Sequence, residues 1–307
     1  MPLLSTFGGG SIRGFNPGGP VGGEAVASDV FPYFTVDGSN APISNLANVT
    51  LLNHGRSGNF GGIIMEPGGN RLWLYNYGAT DVHEFNLSTP YMIAGMSHSS
   101  TSTWSTLDTT FAIDPSGTYV LSGDRGSATV SELSVPWEIN GNKTTVQTGL
   151  VGGHWGSFGD ANTAPNPFTV GIYSRSSDDF TVYEGSAPTN TLSSQKSGWQ
   201  PDGSGQINSY GGHVSPDGKA MVLHSFTNTD FHFHSFGQLG ADPWNAQSLQ
   251  DRVTVNYSTS GLSGGSIMGL QLVRVGGGTG AGSQGYAYYC DSYNTSNLRQ
   301  ISFTWQV

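Results

Sequence analysis

A unit of about fifty residues that recurs along the chain, a composition rich in glycine and poor in charge, and strand-forming runs at two distant places that complete one another all point the same way. Together they predict an all-β chain folded as a β-propeller of about five blades, or six if residues 31–36 are counted as a blade of their own. Of 307 residues, 46 are Gly and only 10% are charged, against about 25% charged in a typical globular domain. Fifteen Phe, 13 Tyr and 7 Trp are spread along the chain, so apolar surface is available for a core throughout.

The period is read from a short, partly apolar strand that ends in a Pro-x-Gly turn. Its clear copies are Ile63-Ile64-Met65-Glu66-Pro67-Gly68-Gly69, Phe111-Ala112-Ile113-Asp114-Pro115-Ser116-Gly117 and His213-Val214-Ser215-Pro216-Asp217-Gly218. A divergent copy lies around Gly152-Gly153-His154-Trp155 and Pro167, and a fifth starts at Gly264-Gly265. A second strand follows each clear turn, as in Arg71-Leu72-Trp73-Leu74-Tyr75, and then a third, as in Asp81-Val82-His83-Glu84-Phe85. The third strands run into a Pro-aromatic corner at Pro90-Tyr91, Pro136-Trp137 and Pro243-Trp244. Gly-Gly before four of the five first strands suits inner strands that approach closely at an axis.

Blades are therefore expected near 61–108, 109–151, 152–210, 211–263 and 264–307, within a propeller spanning residues 26–307. Residues 299–305 read as a third strand lacking its fourth, and residues 48–52 as a fourth strand lacking its blade. Pairing them closes the ring and removes an exposed edge.

Residues 1–25 differ from the rest. Their Gly and Pro density cannot hold a regular element alone, yet Leu3, Leu4, Phe7, Ile12 and Phe15 are spaced apolar anchors. An extended peptide with such anchors gains order in another chain's groove, so the segment reads as an attachment arm. The net charge of −10, with no Lys/Arg stripe, argues against nucleic acid and anionic membrane as partners. No apolar run is long enough to predict membrane insertion, and the opening residues lack the pattern of a signal peptide. Cys290, the one cysteine, reads as a buried strand thiol, which excludes an intrachain disulfide.

Ser215-Pro216-Asp217-Gly218-Lys219 resembles the blade turns of TolB-like propellers. The pairing of Pro-x-Gly turns with Asn86-Leu87-Ser88-Thr89-Pro90-Tyr91 and Leu133-Ser134-Val135-Pro136-Trp137 resembles propeller repeats in structural proteins of marine bacteriophages. The leader Leu3-Leu4-Ser5-Thr6-Phe7-Gly8, with Arg13-Gly14-Phe15, is similar to the glycine-rich openings of such virion proteins. The likeness spans most of residues 1–305, clearly in three blades and loosely in two. It implies a non-enzymatic virion component of the tail-fibre, collar or capsid-attached type, made in a host cytoplasm. Such a component carries no cofactor and docks on other virion proteins through Leu3, Leu4, Phe7, Ile12, Arg13 and Phe15. The alternatives are a propeller glycan hydrolase and a cellular propeller scaffold.

His154 and His213 each follow a Gly-Gly pair, which places them, with Trp155, near the mouth of the axial channel as a candidate ligand face. His232 and His234 share one strand face without a third ligand beside them, and no metal is expected there. Asp114 and Asp217 read as turn formers, Asp178-Asp179 as a solvated pair, and Ser263 as a poor nucleophile because a strand, not a helix, follows it. Trp104, Trp155 and Trp199, among Ser, Thr, Asn and Gly, are the expected stacking faces for host-surface glycans.

Overall fold

The computed structural model of the chain describes residues 34–36, 45–50, 60–76, 79–104, 109–159, 168–177, 179–185, 192–199, 209–215, 220–225, 230–235, 253–258, 267–275, 284–291 and 297–305. None of these residues lies in an α-helix. Two strands come first, β1 (Phe34–Val36) and β2 (Asn45–Thr50). Blade one follows as β3 (Phe60–Met65), β4 (Arg71–Asn76), β5 (Asp81–Asn86) and β6 (Ser97–Thr103). Blade two is β7 (Thr110–Ile113), β8 (Tyr119–Gly123), β9 (Ser127–Leu133) and β10 (Lys143–Val151). Blade three is β11 (Trp155–Phe158), β12 (Phe168–Ser174), β13 (Asp179–Gly185) and β14 (Ser193–Trp199). Blade four is β15 (Gly212–Val214), β16 (Ala220–Ser225), β17 (Asp230–Ser235) and β18 (Val253–Ser258), and blade five is β19 (Ile267–Arg274), β20 (Gln284–Asp291) and β21 (Asn297–Trp305).

Each blade is an antiparallel meander in chain order. The first strands β3, β7, β11, β15 and β19 touch one another in turn, and β19 returns to β3, so the five sheets stand around a closed axis. Blade five takes its outer strand from earlier in the chain: β2 pairs with residues 297–301 of β21, and β1 with residues 303–305. The closing strand is thus Asn45–Thr50 rather than 48–52, with a bulge between Asn45 and Ala47, and residues 51 and 52 lie outside the described residues. Of the run 31–36, residues 34–36 form a strand, and it extends blade five instead of founding a sixth sheet.

Alternation along the strands gives every blade two apolar faces, and the core is the set of layers between blades. Ile64, Trp73 and Val82 of blade one meet Phe111, Val120 and Leu133 of blade two. Ala112, Leu121 and Val130 meet Phe158, Val170 and Ile172. Trp155, Tyr173 and Phe180 meet Val214, Met221 and Leu223. Phe60, Leu72 and Phe85 close the circuit against Tyr288, Cys290 and Leu298. Polar contacts help at that closure: the Tyr288 hydroxyl (2.6 Å) and Gln300 Nε2 (2.9 Å) both donate to the Tyr91 carbonyl.

The Pro-x-Gly turns and the Pro-aromatic corners form one device. Gly69 and Gly117 adopt φ of 71° and 76°, and Tyr91 and Trp137 adopt φ of 65° and 64°. Each aromatic N–H donates to its glycine carbonyl, Tyr91 to Gly69 at 2.7 Å and Trp137 to Gly117 at 2.9 Å. The ring then lies where a glycine Cβ would be, so these glycines serve both conformation and space.

Candidate functional site

A cavity of about 320 Å³ runs along the axis, lined by residues of all five first strands. A first strand pairs on one edge only, so every second N–H on its other edge points toward the axis or the next blade. At three joints a side chain of the preceding blade accepts that N–H. Val214 N–H donates to Ser157 Oγ (3.0 Å), Leu272 N–H to His213 Nδ1 (3.4 Å) and Met65 N–H to Gln271 Oε1 (2.6 Å). Strand register makes Ser157, His213 and Gln271 equivalent: they lie opposite Gly171, Val222 and Tyr288. The same position holds Ile64 in blade one and Ala112 in blade two, opposite Trp73 and Leu121.

His213 borders the cavity. It is half-buried. Burial lowers its pKa to about 4, so near neutral pH the ring is uncharged. With Nδ1 accepting from Leu272, the proton sits on Nε2. Trp155 also borders the cavity but is only 4% exposed, its indole stacked on Tyr173 at 5.2 Å.

His154 does not belong to the channel lining. Its Nδ1 accepts the Arg175 N–H (3.2 Å) and its ring meets Tyr210 edge-on, where burial and then Arg125 and Arg175 lower its pKa to about 4. By strand register His154 stands three residues before Ser157, the equivalent of His213, so the strand reaches the cavity only from Trp155 onward.

Trp104 is no exposed stacking face. It is 1% exposed between blades one and two, capped by the Lys143 ammonium 3.8 Å above the ring. An indole gains more by closing an inter-blade layer than by presenting its face to water. Asp114 is a turn former: Oδ1 accepts the Tyr119 N–H (2.6 Å) and Oδ2 the Ser116 N–H (3.0 Å). Cys290 is buried. Leu3, Leu4, Phe7, Ile12, Arg13, Phe15, Asp178, Asp217 and Ser263 lie outside the described residues, as do the side chains of Trp199, His232 and His234. Among the described residues no three His, Cys, Asp or Glu side chains are grouped to hold a metal ion.

Sequence reasoning missed Ser157 and Gln271, because the Gly-Gly pairs lie four and six residues before them and one before His213, so only strand register brings the three together. It also missed a cluster where blade one meets blade two. Arg71 reaches Glu66 (2.9 Å), Glu138 (3.3 Å) and Glu84 (3.9 Å), and lies over the Trp73 ring. The hydrogen bond to Glu66, more than any other contact, raises the guanidinium pKa above its ordinary value.

No protein-family model matches the chain, and no curated protein does. Among solved structures it is similar to the β-propeller domain of Cps50 (Swd1) from Myceliophteria thermophila, at 8% identity over 87% of this chain and 100% of that one, with a TM-score of 0.44. It is also similar to hydrazine synthase of Kuenenia stuttgartiensis, at 12% identity and TM-score 0.41 over 84% of this chain and 60% of that one, so it spans about 60% of that protein's length. A protein of unknown function from Desulfotomaculum acetoxidans is 9% identical over 81% of this chain and 70% of that one, with a TM-score of 0.41. At these values the likenesses carry no argument about chemistry, and the architecture rests on the chain's own strand pairing.

Proposed function

We propose that the chain is a non-enzymatic attachment and display module, and, following the resemblance of its repeats and leader, a structural protein of a phage virion. The observation that carries this reading is where the earliest strands sit. β1 and β2 form the outer layer of blade five, so the ring draws on residues 34–36 and 45–50 for closure, and Phe34, the first described residue, lies on the outer strand. An arm rooted there can dock on other virion proteins without disturbing the blades. A hydrolase would set two carboxylates across the bond to be cut. Asp114, the carboxylate that borders the cavity among the described residues, is committed to its own turn.

Contact with host-surface glycans is a further reach of the same reading. With Trp104 and Trp155 buried, it rests on polar groups such as the outward Ser97, Ser99, Thr101 and Thr103 of β6. Deleting residues 1–25 should leave the circular dichroism and melting of the ring unchanged while abolishing incorporation into particles. Normal occupancy of the truncated chain would end the docking role. On a glycan array the full chain should bind weakly and with little salt dependence; binding that collapses at moderate salt would favour a purely structural role.

A further inference from the structure

The ring of acceptors around the axis is filled at three joints and open at two. Hydrogen-bonded pairing of Asp114 with Tyr119 and of Gly159 with Thr169 turns the N–H groups of Ile113 and Phe158 away from their own sheets, toward the axis. The side chains placed to receive them are Ile64 and Ala112, which accept nothing. Both open N–H groups belong to residues that border the cavity. Ala112 offers only a methyl group where Ser157, His213 and Gln271 reach across, so room is left beside Phe158 N–H.

We propose that these two joints frame a site for a small uncharged molecule with an apolar body and a carbonyl or ether oxygen, the oxygen accepting from Phe158 N–H beside Ala112. The walls set the body: Ile64, Phe111, Phe158, Leu270 and Leu272 are apolar. The polar groups set the oxygen, because Ile113 N–H, Phe158 N–H and His213 Nε2–H are all donors. Among the described residues no Lys or Arg borders the cavity, and the chain carries a net charge of −10, so an anion would lose its hydration without a counter-charge from them. At about 320 Å³ the cavity is at the small end of ligand sites and suits a single-ring molecule.

Acetophenone is the probe, with ethylbenzene as the oxygen-free match and benzoate as the charged one, titrated into the full chain with amide shifts as the readout. Acetophenone should saturate shifts at the Ile113 and Phe158 amides and bind about tenfold tighter than either match, the worth of one buried hydrogen bond. Ala112→Ser supplies a hydroxyl as Ser157 does, and should weaken acetophenone about tenfold while the melting temperature holds or rises. No saturable shift at those amides, equal binding of ethylbenzene, tighter binding of benzoate, or unchanged binding in a folded Ala112→Ser protein would each overturn the proposal. The comparison of the three probes on the unmodified chain decides it even if the variant does not fold.

Discussion

The joint between blades one and two and the joint between blades four and five solve the same problem differently. Between four and five, His213 on the inner strand takes the next blade's N–H at the axis. Between one and two the equivalent residue is Ile64, packed against Phe111 in an apolar layer, and the polar links move outward. There Arg71 reaches Glu138, and Ser102 Oγ donates to Asn140 Oδ1 at 2.7 Å. An inner position that hydrogen-bonds satisfies the next blade's N–H, and one that packs leaves that N–H facing the channel.

The comparison breaks most strongly in acid. His213 at the axis and His154 near Arg175 both have pKa values lowered to about 4, from about 6.5 in an unfolded chain. Above 6.5 neither state binds the proton and nothing is lost. Between 6.5 and 4 the unfolded chain takes it up and the folded one does not, so stability falls as pH falls and levels off below about 4. At about 1.4 kcal/mol per pH unit, each histidine accounts for roughly 3 kcal/mol. Urea unfolding of the chain and of His213→Gln at neutral pH and at about pH 5, above most carboxylate titration, isolates the His213 share. His213→Gln keeps an acceptor that does not titrate and should remove about half the loss; an unchanged pH dependence would take His213 out of the account.

Next come the two kinds of joint tested directly. Ser157→Ala leaves Val214 N–H buried without an acceptor and should cost about 1–3 kcal/mol. Gly62→Ala acts at the apolar joint, where the new Cβ would fall 2.7 Å from Phe111 Cβ, and should cost a similar 1–3 kcal/mol by overpacking. Chemical denaturation separates them from a neutral surface change, and a cost near zero for Ser157→Ala would mean the axial N–H groups need no protein acceptor.

How much of this was legible follows from range. The period, the Pro-x-Gly turns and the corners are local patterns and stand in the sequence; that Gly117 and Trp137 interlock is a contact between two of them, and periodicity carries no contact. The closing strand reads as starting at 48 because Asn45, Ala47 and Asn48 are poor strand formers beside Val49-Thr50-Leu51-Leu52, and the bulge that shifts register leaves no residue signature. Trp104 reads as exposed because its neighbours Ser102, Thr103 and Ser105 look like a surface loop, and no spacing tells that Phe111 and Leu133 of the next blade close over it. His154 and His213 share a Gly-Gly prefix, and only strand register separates the one that reaches the axis.

The smallest expected effect sharpens the same contrast at the outer part of the one–two joint. Arg71 carries three carboxylate contacts, yet its side chain is 24% exposed and Glu138 is 51% exposed, so solvent screens much of the attraction. Its guanidinium also lies 5.0 Å from the Trp73 ring centre, a contact that an unbranched apolar side chain can partly replace. Arg71→Met should therefore cost no more than about 1 kcal/mol, and less at high salt than at low. A loss above roughly 3 kcal/mol, unchanged by salt, is the behaviour of a buried pair broken on one side. It would show that the outward polar links hold this joint as firmly as His213 holds its own.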